Sequence, residues 1–195
     1  DKKQTVISAK IFIDATECGD FIPMTGARYR AGNGSSPKID KNSIIQDITY
    51  VAVVKKYQDG LPDKLKFTSQ PPMYPDYLME FRSMIRKDGS TWPGKYPFSP
   101  VVHNAYRAIP DPSEGSGVTI DGGKPETWPL ITKTGINWTN DIPGRFAKMP
   151  GLSVKYLQDR GLRAEADRAA MLKTLCFIYY MQNELGMKDW SVDNR

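Results

Sequence analysis

The stretch KIFIDATECGDF, residues 10–21, decides how the rest of the chain is read. From Thr5 the pattern alternates at first, with Ile7, Ala9, Ile11 and Ile13 on one face and Ser8 and Lys10 on the other. At Ile11-Phe12-Ile13 both faces become apolar, which predicts a strand covered on both sides of a sheet. The strand runs into Ala15, Thr16 and Gly19, a corner of small residues. In doubly wound sheets ligands sit beyond the carboxyl ends of strands, where small residues let a cofactor approach. Carboxylates at Glu17 and Asp20 suit ribose hydroxyls better than a pyrophosphate. A buried strand closed by an ordinary polar turn accounts for the same residues.

Composition narrows the field. The chain has 195 residues, with 39% hydrophobic and 25% charged, the profile of a globular protein with one good core. No apolar run approaches the roughly 20 residues that span a bilayer. The net charge of +5 comes from scattered bases interrupted by acids, so neither nucleic acid nor membrane is expected as a partner. Two cysteines, Cys18 and Cys176, make no disulfide framework, and two free thiols are expected. One histidine and no Cys-x-x-Cys pair leave no metal site of those kinds. A Gly-x-Ser-x-Gly elbow is also missing, which disfavours a serine hydrolase.

Further along, Phe21 to Ala27 predicts a short helix stopped near Gly26. Residues 32–43 read as a loop, and Ile44 to Tyr57, rich in β-branched residues, as a strand. A proline-punctuated stretch leads to a helix expected at Tyr77 to Arg86. Short strands are expected at Val101 to Ala108 and Trp128 to Thr132. Ser153 to Arg160 predicts a helix broken at Gly161. Then comes a long buried helix, with stripes Met171, Leu175, Ile178 and Leu172, Cys176, Tyr179, terminated at Gly186.

Three separated segments carry a resemblance. AKIFIDATECGDFIPMTGARYRAG (9–32) is similar to the Asp-Ala-Thr-x-x-Gly-Asp segment of FAD-dependent oxidoreductases of the glutathione-reductase-like superfamily. GINWTNDIPG (135–144) resembles an Asn-Trp-x-x-Asn-Asp stretch in a bacterial group of these proteins. KTLCFIYYMQNELGMKDWSVDN (173–194) resembles that group's long helix and Asp-Trp-Ser turn. The resemblance implies that Ala15, Thr16, Gly19 and Asp20 lie beside FAD. It implies that Asn137, Trp138, Asn140 and Asp141 face a small-molecule substrate. Asn-x-x-Asn-Asp-x-Pro is equally sound turn chemistry. His103 is a candidate proton acceptor, or a structural residue of its expected strand. Tyr179, Tyr180, Met171 and Met181 read as core.

The chain departs from the superfamily at Glu17, where many members place glycine, and by lacking any Gly-x-Gly-x-x-Gly. The pyrophosphate-binding half is therefore expected ahead of Asp1, and a further flavin-side segment after Arg195. The expected fold is α+β, a small mixed or antiparallel sheet with a long C-terminal helix, as a portion of an FAD/NAD(P)-binding-fold flavoprotein. Residues 1–31 would be the final strand and turn of an FAD-binding domain, and 32–195 a substrate-side region. The implied parent activity passes a hydride from an organic substrate to flavin, with this chain alone inactive and without FAD. Loss of cover over Ile11, Phe12 and Ile13 would favour pairing with a second copy through an exposed strand edge. The other reading is a free-standing, non-catalytic binding module.

Overall fold

The computed structural model describes residues 5–32, 43–85, 133–136, 140–144 and 151–194. The strands expected at 101–108 and 128–132 lie outside them, as do Asn137, Trp138 and His103. Within the described residues the fold is α+β, with antiparallel sheets packed on a long helix. Chain order runs through a 3-10 turn at Ile22–Thr25, β1 (Ile48–Thr49), β2 (Ala52–Lys56) and a second 3-10 turn at Asp63–Leu65. It continues through α1 (Tyr74–Met84), β3 (Lys133–Ile136), β4 (Asp141–Ile142), α2 (Lys155–Gln158), α3 (Arg160–Asn183) and β5 (Trp190–Val192).

The β-branched run predicted as one strand is two. β1 pairs with β4, while β2 is the centre of a three-stranded antiparallel sheet ordered β3-β2-β5. Val54 sits opposite both Thr134 and Val192 and is completely buried. A strand with ladders on both edges and one covered face needs such a residue at its middle.

α3 supplies the other half of the core. Its buried residues begin at Ala170 and continue through Lys173, Thr174, Cys176, Phe177, Ile178, Tyr180, Met181 and Gln182. Spacings of three and four residues, with Cys176 and Tyr180 filling in, leave little of this half facing water. The expected burial thus holds for the C-terminal half only. Met171, assigned above to a core stripe, is 41% exposed. α1 lies across this half, with Phe81 centred 5.3 Å from Phe177 and 5.6 Å from Tyr180, both in tilted geometry. Such pairs contribute about 0.5–1.5 kcal/mol each beyond their area.

Polar groups in this core are matched apart from the Tyr74 hydroxyl, which is buried without a hydrogen-bond partner among the described residues. Tyr180 donates its hydroxyl to the Ile85 carbonyl at 2.8 Å, closing the end of α1. The Gln182 amide donates to the carbonyls of Trp190 and Leu65 and accepts from the Phe67 amide. One side chain thereby ties α3 to β5 and to the second 3-10 turn. Lys173, without solvent exposure, donates to Glu80 on α1 at 2.7 Å and to the Asp141 carbonyl at 2.5 Å. Its ammonium also lies 5.3 Å from the Tyr77 ring centroid. Gly144 closes over this pair with φ 81°, and a Cβ there would come within 2.6 Å of Glu80 Oε1.

Helix ends depart from expectation for local reasons. α1 starts at Tyr74, because Pro75 occupies the first turn, where a missing N–H costs nothing. The break before α3 falls at Asp159, whose carboxylate accepts from the amides of Gly161 and Leu162. An N-cap of that strength absorbs Gly161 into the first turn. At the other end Gly186, φ 73°, turns the chain so that the Met187 amide reaches the Met181 carbonyl.

Residues 5–15 form no ladder with any described strand. Ile11, Phe12 and Ile13 are 78%, 71% and 86% exposed. The apolar pattern encodes burial, yet a strand exists only where a neighbouring edge offers its N–H and C=O groups.

The buried Lys173–Glu80 pair sets a stability expectation. Lys173→Met removes the buried ammonium that Glu80 accepts from and lowers the unfolding free energy by about 3–5 kcal/mol, whereas Lys173→Met with Glu80→Leu recovers most of the loss. Urea unfolding of the single and double variants checks this, and a double variant as unstable as the single would contradict it.

Candidate functional site

Two clusters contain those expected site residues that lie within the described residues, and α3 touches both. The first is the turn at 14–21. Asp14 is its hub. Its Oδ1 accepts from the Thr16 amide at 3.0 Å and the Thr16 hydroxyl at 2.7 Å, and its Oδ2 accepts from the Phe21 amide at 2.8 Å. Thr16 Oγ1 in turn accepts from the Asp20 amide at 2.7 Å. The Gly19 amide donates to the Thr16 carbonyl, and Gly19 itself adopts φ 63°. A side chain there would be strained in this left-handed backbone and would meet Ile22 Cδ1 at 2.9 Å. Glycine at position 19 is thus required by the turn, whatever the turn binds.

These bonds hold the Asp14 carboxyl below its ordinary 3.8, led by the Thr16 hydroxyl. Asp20 is also held low, first by the hydrogen bonds from Arg163. Arg163 Nη2 lies 2.8 Å from Asp20 Oδ1 and Nη1 lies 3.3 Å from Oδ2. Beside them the Tyr156 hydroxyl donates to Asp167 at 2.9 Å, and burial with that bond pushes the phenol up to about 12. Ala15 and Glu17 are exposed, while Thr16, Cys18, Gly19 and Asp20 are half-buried. Ala15 therefore presents the least bulk at the outer surface of a braced turn.

The second cluster surrounds Asn140 and Asp141. Asn140 is wholly buried, and its amide donates to the Tyr50 carbonyl at 3.0 Å and to Thr174 Oγ1 at 2.8 Å. Thr174 bonds the same Tyr50 carbonyl at 2.8 Å. The Asp141 carboxylate accepts from the Thr49 hydroxyl across the β1–β4 pair, and its carbonyl receives Lys173. Both residues anchor the base of the β3–β4 connection to α3. Arg163 and Thr174 are eleven positions apart, so the two clusters are separated by about 16 Å along the helix.

Two participants were missed by the reading of the sequence. Asp14 had a local signal, since Asp-x-Thr is Asx-turn chemistry. Arg163 had none, lying 143 positions from its partner Asp20. Among the described residues no group of histidines, cysteines and carboxylates has metal-site geometry, and no helix is long and apolar enough to cross a membrane. Both cysteines are free, and burial pushes the Cys176 thiol up to about 12.

Because Asp14 and Asp20 both titrate lower when folded, the bracing they provide is complete above about pH 4 and is lost as pH falls through the depressed values. Amide NMR of Thr16 and Phe21 should show their hydrogen-bonded shifts at neutral pH and lose them on acidification. Asp14→Ala should show the acid-state shifts already at neutral pH. Wild-type shifts in that variant would remove Asp14 from its role as hub.

No curated protein and no solved structure matches the chain significantly. The family model described as FAD dependent oxidoreductase matches residues 1–192, which includes the turn, both sheets and α3. By that match over nearly its whole length, the chain belongs to the FAD-dependent oxidoreductase family.

Proposed function

We propose that this chain forms the substrate-side part of an FAD-dependent oxidoreductase and that its 14–21 turn lies against the cofactor. The observation that supports the reading is the combination at that turn. The carboxylates of Asp14 and Asp20 are consumed in internal bonds, Ala15 gives the exposed surface a small methyl beside the Glu17 side chain, and the exposed apolar residues Ile11, Phe12 and Ile13 lead into it. A flat aromatic ring or a ribose fits such a surface, and apolar exposure of this extent asks for a covering body. A pyrophosphate does not fit it, for want of a glycine-rich helix start, and polypeptide outside residues 1–195 would hold that group.

Bound flavin supplies the two-electron redox chemistry, accepting a hydride from an organic substrate. The residues of this chain supply position. Ala15, Thr16, Gly19 and Asp20 make the flavin-side turn, with Thr16 and Gly19 fixing its shape and Asp20 its anchorage. Asn137 and Trp138, between β3 and β4 in sequence, are the proposed substrate contacts, and the buried Asn140 and the Thr49-bonded Asp141 fasten the start of β4 to α3 and β1. His103 is the candidate proton acceptor. Residues 1–195 alone retain FAD weakly and turn nothing over.

The test uses the exposure of Ala15. In the full-length protein Ala15→Trp should weaken FAD binding by about ten-fold or more, which is about 1.4 kcal/mol, and leave thermal unfolding of the FAD-free protein unchanged. Flavin absorbance after gel filtration and a fluorescence titration read the two proteins. Undiminished FAD affinity in the variant would contradict the placement.

A further inference from the structure

We propose that Arg163 is the positioning residue of the flavin-side turn, holding Asp20 in place and cancelling its charge toward an anionic dinucleotide. This rests on the reading of the turn given above, and it adds a role for a residue on a different element.

The geometry assigns every arm of the guanidinium. Nε donates to the Tyr156 carbonyl at 3.2 Å and Nη2 to the Leu157 carbonyl at 2.6 Å. Those carbonyls sit at the end of α2, where a helix leaves its last acceptors without intrahelical partners. The Tyr156 ring lies alongside, its centroid 5.9 Å from the guanidinium carbon. Thus α2 fixes the fork before it meets Asp20. The remaining donors then grip both carboxylate oxygens, at 2.8 and 3.3 Å. A two-point grip sets the orientation of a carboxylate as well as its position, which a lysine cannot do.

The Asp20 amide is bonded to Thr16 Oγ1, so the same residue is held at both ends: backbone to the turn, side chain to α3. The two side chains are only 17% and 19% exposed, so water screens the pair incompletely. A carboxylate so placed beside a diphosphate-bearing cofactor would repel it, and the arginine removes that repulsion.

The experiment separates charge from bracing. FAD affinity of the full-length protein is measured by fluorescence titration at low salt for wild type, Arg163→Met, Asp20→Asn and the double variant. Arg163→Met should bind about ten-fold more weakly, with the defect shrinking in high salt. Adding Asp20→Asn should restore affinity to within about three-fold of wild type, since the repelling charge has gone with its partner. Arg163→Lys keeps the charge, and should bind nearer to wild type than Arg163→Met does. Wild-type affinity in Arg163→Met overturns the proposal. So does a double variant no tighter than Arg163→Met, or an Arg163→Lys as weak as Arg163→Met, because each leaves the holding of Asp20 without the cancelling of its charge, and the proposal needs both. If wild type binds FAD and Ala15→Trp does not, such results sink the role of Arg163 alone. If wild type binds no FAD, the flavin-side turn falls and Arg163 with it.

Discussion

Burial of the C-terminal half of α3 is the constraint to which the other elements conform. From Ala170 onward the helix has few exposed positions, and each polar residue it carries inward is spoken for by a different element. Lys173 takes Glu80 from α1 and a carbonyl from β4. Thr174 and Asn140 meet at the Tyr50 carbonyl between β1 and β2. Gln182 reaches β5 and the Leu65 turn. A helix with this many directional partners has one acceptable rotation about its axis, so its N-terminal half is aimed as well. That half carries Arg163, which holds the turn.

The link from sequence to structure was strongest where the cause is local. The helix former run after Asp159, the β-branched centre of β2 and the glycine at 186 are all encoded within a few residues of where they act. It failed where the cause is a partner. Ile11 to Ile13 carry the pattern of a doubly covered strand, but a ladder needs a second edge, and periodicity is silent about its whereabouts. Met171 failed for a related reason. It falls on a helical stripe, yet α3 is covered only where α1 and the sheets reach it.

The candidate site divides in the same way. Small residues at 15, 16 and 19 were legible as a corner, and the structure supplies a physical reason for two of them: Thr16 as a relay between Asp14 and Asp20, and Gly19 for its positive φ. Asn140 is an instructive case. Its polarity in a loop suggests a ligand contact, whereas its amide is used inside the protein, fastening the β3–β4 connection to α3. Nothing in the residues around Asp20 announces Arg163, because an ion pair across 143 positions is a property of the fold.

The turn carries its own reporter. Cys18 is half-buried within it, while Cys176 is fully buried and its thiol is pushed up to about 12. Alkylation by iodoacetamide in the folded full-length protein, followed by mass spectrometry of the two peptides, therefore reads position 18 against an inert internal control. If the turn lies against the cofactor, saturating FAD slows labelling of Cys18 and leaves Cys176 unreactive. Labelling of Cys18 at the same rate with FAD bound would place the flavin elsewhere and contradict the account.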